Sequence, residues 1–361
     1  MNCKELKIGY VPYLPDLSQP ADRRRFPFFA KTQNIPYEIA DASKNYDIIL
    51  LTAPSNLSKW LLYKKKHPKT KFIFEMVDSL IFPSDIFSTL FKGVGRFILR
   101  KENMLYFNYK RLIIKWLKIA DVVICSNKGV KKKVEKWNKN VIISLDYLQN
   151  EAKFHKANYT IEEKMKLVWE GQSVVLPQLL KFKGMFQKVN SFCELHVITD
   201  ETYPVLGNLK KQPVSKILNQ LPIKTIFHKW ELYKNYDELS KYDCGIIPLI
   251  KKNLLGWYKP ANKLISFWFT GVPTLVSATP AYTDMMKDAG EKMYCSDTDE
   301  WVAQIKRVYA MKPGEREMLA KKNCEFVRQY YSDEALDAVW YNIFDKKMPD
   351  KNFRAVGFSI E

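Results

Sequence analysis

Ten short runs rich in β-branched and apolar residues recur along the chain, separated by segments with helical spacing. In the first half they are Leu6–Val11, Ile48–Thr52, Lys71–Met76, Val122–Cys125 and Val141–Ser144. In the second half they are Lys166–Trp169, Leu195–Thr199, Lys224–Phe227, Cys244–Pro248 and Thr274–Ser277. Between them lie stretches such as Ser55–Lys66, whose apolar residues repeat at helical intervals. This alternation predicts parallel sheets wrapped by helices, because a parallel neighbour requires a crossover long enough to hold a helix.

A chain of 361 residues exceeds what one core usually supports and suits two doubly wound domains. The expected division is an N-terminal Rossmann-like domain over residues 1–150 and a C-terminal one over 151–332. The polar stretch Leu148–Glu163 marks the boundary. The last helices, Glu315–Tyr331 and Asp333–Phe344, have no strand after them. Residues 333–361 are expected to pack back on the first domain. In such sheets ligands bind beyond the carboxyl ends of the strands, so chemistry is expected in those loops, at a cleft the two domains share.

Hydrophobic content of 47% supports a well-packed protein, and no apolar run is long enough to span a membrane. The start, Met-Asn-Cys-Lys-Glu-Leu-Lys, runs straight into a strand, so no signal peptide is expected. Six scattered cysteines without a CxxC pair read as reduced core residues of a cytoplasmic protein. Four histidines at no metal-ligand spacing make a metal site unexpected. The net charge of +19 is lopsided: residues 1–150 hold 27 Lys/Arg against 13 Asp/Glu, the remainder 31 against 26. An anionic partner therefore belongs mainly to the first half, with nucleic acid and an anionic membrane surface as the generic candidates.

The loops are as informative for what they lack. Neither GxGxxG nor GxxxxGK[ST] follows a strand, which removes support from dehydrogenase and P-loop readings. No GxSxG elbow exists for a nucleophilic serine. Asp297-x-Asp299 resembles a metal-binding DxD, but its context, "CSDTDEWVAQI", reads as a capped helix start. What remains is "YKPANKLISFWFTGVPTLVS", Tyr258 to Ser277. Lys263 falls in the first turn of a predicted apolar helix, where the macrodipole disfavours a cation by roughly 0.3–1 kcal/mol. A bound diphosphate would accept from the free amides there and pair with Lys263, reversing the sign. The alternative is a lysine that snorkels to solvent.

The stretch "DCGIIPLIKKNLLGWYKPANKLISFWFTGVPTLVSATPAYTDMMKDAG" resembles the donor-binding region of GT-B glycosyltransferases, especially those similar to glycosyltransferase family 4. There an Asp-x-Gly-hydrophobic-x-Pro strand precedes an Asn-Lys helix start, then Gly-x-Pro and a strand. "ADVVICSNKGVKKKV" and "TIFHKWELYKNYDELSKYDCGIIPL" extend the similarity over most of residues 120–295. The resemblance implies a nucleotide-diphospho-sugar donor, UDP-sugar favoured, bound by the C-terminal domain without metal or other cofactor. Lys263 and Asn262 would face the phosphates, with Lys259 sharing the load. The loop Gly171, Gln172, Ser173 would approach them, Trp230 would lie in the loop near the base, and Tyr258 would border the donor. On the acceptor side it places Asp78, after "KFIFEMVD", as base or orienting group, together with Arg23, Arg24 and Arg25. Many family members carry two glutamates eight positions apart, where this chain has Tyr258 and Ser266.

Between Lys92 and Lys118 stand eight basic residues and one acid, interleaved with apolar and aromatic ones. This pattern fits a helix lying in a membrane interface, with Arg96, Arg100, Lys110 and Arg111 on headgroups. It equally fits ordinary core residues beside a solvated face. Together these readings predict a metal-independent, retaining glycosyltransferase at the inner face of the cell membrane, acting on a hydroxyl of a lipid-linked glycan in cell-surface polysaccharide biosynthesis. No nucleic acid partner is expected. The other reading is a non-catalytic basic protein that binds nucleic acid or anionic lipid and keeps a degenerate donor cleft.

Overall fold

A computed structural model describes residues 6–77, 81, 94–99, 101–149, 155–205, 210–231, 235–251 and 254–344. The described residues divide into two compact units. One falls within Met1–Tyr147, Leu254–Pro260 and Asp333–Glu361, the other within Leu148–Asn253 and Ala261–Ser332.

The first unit is built on six strands: β1 (Ile8–Val11), β2 (Glu38–Ile39), β3 (Ile48–Thr52), β4 (Lys71–Met76), β5 (Val122–Cys125) and β6 (Val141–Ile143). They are all parallel, in the order β2-β1-β3-β4-β5-β6. β3 and β4 are buried along almost their whole length, as expected of strands covered on both faces. The helix Leu57–Lys66 starts where Asn56 accepts from the Lys59 amide, and it buries Leu57, Trp60, Leu61 and Tyr63. The helix Tyr109–Ile119 turns Tyr109, Leu112, Ile113, Trp116 and Leu117 into the same core, where Trp116 meets Phe72 and Phe74.

That last packing corrects the interfacial-helix reading in part. The apolar stripe of residues 109–119 is core, because both faces of the sheet must be covered before a stripe is left for lipid. The chain also returns to this unit at its end. In the helix Asp333–Ile343, Trp340 packs on Phe26 and Phe29. Asp337 accepts from the Tyr147 hydroxyl at 2.7 Å and from Gln33 Nε2 at 2.8 Å.

The second unit repeats the design with β7 (Met165–Glu170), β8 (Cys193–Thr199), a hairpin of β9 (Thr202–Val205) and β10 (Lys210–Pro213), β11 (Thr225–Lys229), β12 (Cys244–Ile247), β13 (Thr274–Ser277) and β14 (Tyr294–Cys295). The parallel sheet runs β11-β8-β7-β12-β13-β14. All ten predicted strands are present. The helix Asn262–Phe269 is closed by Gly271 at φ 74°, with Gly271 N donating to Trp268 O and Val272 N to Phe267 O. This left-handed cap needs a glycine. Asp297 caps the helix Thr298–Ala310 by accepting from the Asp299 and Glu300 amides, so the apparent DxD is a helix start. The described cysteines are free and buried.

One pair of side chains ties this unit to pH. His196 Nε2 lies 3.1 Å from Glu194 Oε1, and His196 Nδ1 lies 2.9 Å from His228 Nε2. The carboxylate accepts from His196 Nε2–H, so Nδ1 must be the acceptor that His228 Nε2–H meets. Burial holds both imidazoles below their ordinary pKa, against the opposing pull of Glu194 on His196 and of Glu238 on His228. The unfolded chain therefore binds more protons once the pH falls below about 6.5, and the contribution is lost from there downward. The urea midpoint should fall on acidification below about pH 6.5, more steeply than in His196→Gln/His228→Gln. A double variant with the wild-type slope would refute this.

Candidate functional site

The carboxyl end of β7 meets the start of the helix Asn262–Phe269, and the segments at the ends of β7, β8 and β11 are hydrogen-bonded in turn. That helix is buried from Leu264 to Phe269, which fixes its axis against the sheet. Gly245 in β12 lies so close to Phe267 that an added Cβ would come within 2.8 Å of the ring. Ala261 stands at the N-cap and provides no side-chain cap, and the first intrahelical bond runs from Ile265 N to Ala261 O. The amides of Asn262, Lys263 and Leu264 thus precede the hydrogen-bond ladder. They form the positive end of a helix whose remainder is apolar.

Lys263 does not snorkel away. Its Nζ donates to the backbone oxygen and to Oε2 of Glu170, each at 2.5 Å, at the end of β7. The cation lies between the helix start and the strand end, half-buried, with an acidic partner. Gly171 follows directly. Its amide donates to Ile198 O, its carbonyl accepts from the buried Thr199 hydroxyl at 2.6 Å, and a Cβ there would meet the Trp169 ring at 2.7 Å and Lys263 Nζ at 3.4 Å. Only glycine lets the chain pass that close. Ser173 donates from both its amide and its hydroxyl to Asp200 Oδ2, which ties the loop after β7 to the loop after β8. Gln172, between them, is exposed. Trp230, half-buried, leaves β11 with its amide on Thr199 O.

Of the residues expected to hold the donor, Lys263, Asn262, Gly171, Gln172 and Ser173 stand at this strand end and helix start, and Trp230 is tied to the end of β8 by its amide. Sequence reasoning assigned no role to Glu170, Thr199 or Asp200. The signal for Glu170 was present as a carboxylate at the end of an apolar strand. Asn262 adds a further polar group: its Oδ1 is buried and has no hydrogen-bond partner among the described residues. Ser266, at one of the two positions where the resemblance expects a glutamate, donates to the Asn262 carbonyl of its own helix.

Two of the residues expected to hold the donor belong to the first unit. Tyr258 and Lys259 fall in the first unit, where the Tyr258 carbonyl accepts from Asn127 Nδ2 at 2.8 Å and its ring packs on that unit's core. Lys259 is exposed.

On the acceptor side, Asp78 lies outside the described residues, as does Arg100. Arg25 is corrected outright. It is fully buried, donating to Glu75 at 2.6 Å, Asp146 at 3.0 Å and Ser144 O at 3.0 Å, so it holds β4, β6 and the start of the helix Phe26–Thr32 together and faces no ligand. Arg23 and Arg24 end the short helix Pro20–Arg24, both half-buried. The neighbouring Asp22 is buried, accepting from the Tyr10 hydroxyl and the Tyr13 and Leu14 amides, and so fixes the loop after β1. Arg96 is also an internal tie, to Glu102 and two backbone carbonyls, and not a free headgroup contact. Lys110 is half-buried and Arg111 exposed on the helix Tyr109–Ile119.

Among the described residues no cluster of three or more metal-ligating side chains occurs, and no helix is long and apolar enough to cross a membrane.

No protein-family model and no curated protein matches the chain. Solved structures do. HepE from Anabaena, in complex with UDP, superposes over 94% of this chain and its own whole length with a TM-score of 0.62 at 10% identity. An alpha-glucosyltransferase, AGT, in complex with UDP covers 95% of this chain and all of its own, with a TM-score of 0.57 at 9% identity. A mutant of TarM from S. aureus, in complex with fondaparinux, alpha-GlcNAc-glycerol and UDP, covers 83% of this chain at 10% identity and a TM-score of 0.55. The chain spans about half of TarM's length, 55%. At such identities the likeness concerns the fold, and the fold of this chain is that of the GT-B glycosyltransferases.

Proposed function

We propose that this protein is a glycosyltransferase that moves a sugar from a nucleotide-diphosphate donor, a UDP-sugar by preference, to a hydroxyl of a lipid-linked glycan. The observation that carries the reading is Lys263, an ammonium held at the uncapped positive end of a buried helix beside the glycine turn after β7. The free amides and the cation converge on one point, the chemistry a diphosphate requires. The UDP bound to HepE and AGT supports the nucleotide chosen.

In the reaction the bond from the sugar's anomeric carbon to the donor phosphate breaks and a bond to the acceptor oxygen forms. The amides of residues 262–264 and Lys263 stabilise the charge that develops on the departing diphosphate, the work that metal ions do elsewhere. If configuration is retained, the departing phosphate oxygen accepts the acceptor's proton. A lipid-linked acceptor suits the strongly basic first half, and it places the enzyme at the inner face of the cell membrane, in synthesis of a surface polysaccharide.

A thermal-shift series with nucleoside diphosphates tests the reading: UDP should raise the melting temperature. Absence of stabilisation by every nucleoside diphosphate would overturn it. The second reading, a binding protein with a degenerate donor site, draws on the Lys263–Glu170 pairing and on the inward-turned Ser266. It predicts salt-dependent binding of nucleic acid or anionic lipid without binding of a nucleotide-sugar.

A further inference from the structure

We propose that Phe97, Ile98, Leu99, Met104, Leu105 and Phe107 form an apolar anchor that inserts into the interface of an anionic bilayer. The inference rests on the membrane part of the reading above and is independent of the donor chemistry. Large apolar side chains exposed singly need no explanation, but a contiguous set does. Here six fall within eleven residues, with Ile98, Leu99 and Phe107 exposed by 71%, 67% and 64%.

The segment is built to hold them outward. Arg96 donates to Glu102 Oε1 at 2.9 Å and to the carbonyls of Pro54 and Ser55 at 2.8 and 2.7 Å, with its guanidinium over the Tyr109 ring. Glu102 is buried and accepts from the Leu57 and Ser58 amides, while the Asn103 amide donates to the Ser58 hydroxyl. The basic and acidic side chains one would expect to face solvent are thus turned inward as fasteners. The apolar ones, which one would expect to turn inward, are left in water.

Charge selects the occupant. Glu102 is the one acid between Lys92 and Lys118, and it is internal, so that stretch presents no carboxylate to the surface. Lys101, Arg111, Lys115 and Lys118 are exposed, the last three on the solvent face of the helix whose other face is core. Exposed apolar side chains neighboured along the chain by exposed cations match the interfacial layer of an anionic leaflet, where acyl chains lie beneath negative headgroups.

Flotation of the full chain with phosphatidylglycerol–phosphatidylcholine vesicles tests this. Wild type should bind, and Ile98→Ser/Leu99→Ser/Phe107→Ser should bind at least about a hundredfold more weakly at every salt concentration. Lys101→Gln/Arg111→Gln/Lys115→Gln/Lys118→Gln should lose the preference for anionic over neutral vesicles. The UDP thermal shift of the serine variant should equal that of wild type, which shows that it folds and keeps this test apart from the donor reading. Vesicle binding unchanged in the serine variant would overturn the anchor. So would a wild type that ignores vesicles and forms a dimer the serine variant dissolves, since a second copy would then be the occupant.

Discussion

Replacing Lys263 by alanine should remove from about half to most of the stabilisation that UDP confers. With UDP at a hundred times its Kd, a bound ligand stabilises the folded state by about 2.7 kcal/mol. Charge-assisted hydrogen bonds to phosphate contribute about 1.5–3 kcal/mol, so loss of the ammonium should weaken binding about ten- to a hundredfold. At the upper end the stabilisation falls to about 0.4 kcal/mol. The fold itself should tolerate the change, because the Lys263 side chain is 39% and the Glu170 side chain 21% exposed and water can replace each for the other. Glu170→Gln is the informative companion. Its carboxylate holds Lys263 at 2.5 Å and would repel an arriving phosphate, whereas the Glu170 backbone oxygen, which also holds Nζ, survives the substitution. UDP should therefore bind a few-fold tighter to Glu170→Gln and far more weakly to Lys263→Ala. Titration by calorimetry reads both, and an affinity indifferent to Lys263 would remove it from the phosphate site.

The legibility of this site from sequence follows from the locality of its signals. A lysine in the first turn of an apolar helix, a glycine at a strand end and a strand–helix alternation are all recorded within a few residues, and each demands a local conformation. The elements that sequence did not indicate are short or depend on distant partners. β2 and β14 are two residues each, too brief for any periodicity, and the β9–β10 hairpin carries Lys and Pro in place of a β-branched run. The helix Tyr109–Ile119 shows why amphipathicity alone is ambiguous. A stripe facing a sheet and a stripe facing lipid have the same spacing, and only the sheet's need for cover separates them. Tyr258 and Lys259 sit five and four residues before Lys263, yet the chain crosses to the other unit at Leu254–Pro260. No composition shift marks that crossing.

Arg25 illustrates the same limit and carries the largest effect expected on stability. Three consecutive arginines in a strand-end loop read alike, but one is 0% exposed and its partners lie 50 and 121 residues away. A signal did exist at the other end: Glu75 interrupts the apolar strand "KFIFEM", and a carboxylate there must either pair or stay protonated. Burial pushes the Glu75 carboxyl up, and Arg25 pulls it back down. Arg25→Ala leaves Glu75 and Asp146 without their cation in the interior, a change that costs about 3–5 kcal/mol. The pH dependence separates this mechanism from simple loss of packing. A carboxyl whose folded pKa lies above its unfolded value contributes stability that is fully present below the unfolded value, about 4.3, and is lost as pH rises through the folded one. Without Arg25 the folded value rises further, so the variant's first unit should regain stability on going from about pH 8 to pH 5, the reverse of the trend His196 and His228 impose on the second. Hydrogen exchange along β4 reports the first unit alone. Protection there that is unchanged in Arg25→Ala, or that falls on acidification as wild type's second unit does, would show that Arg25 is not what neutralises Glu75.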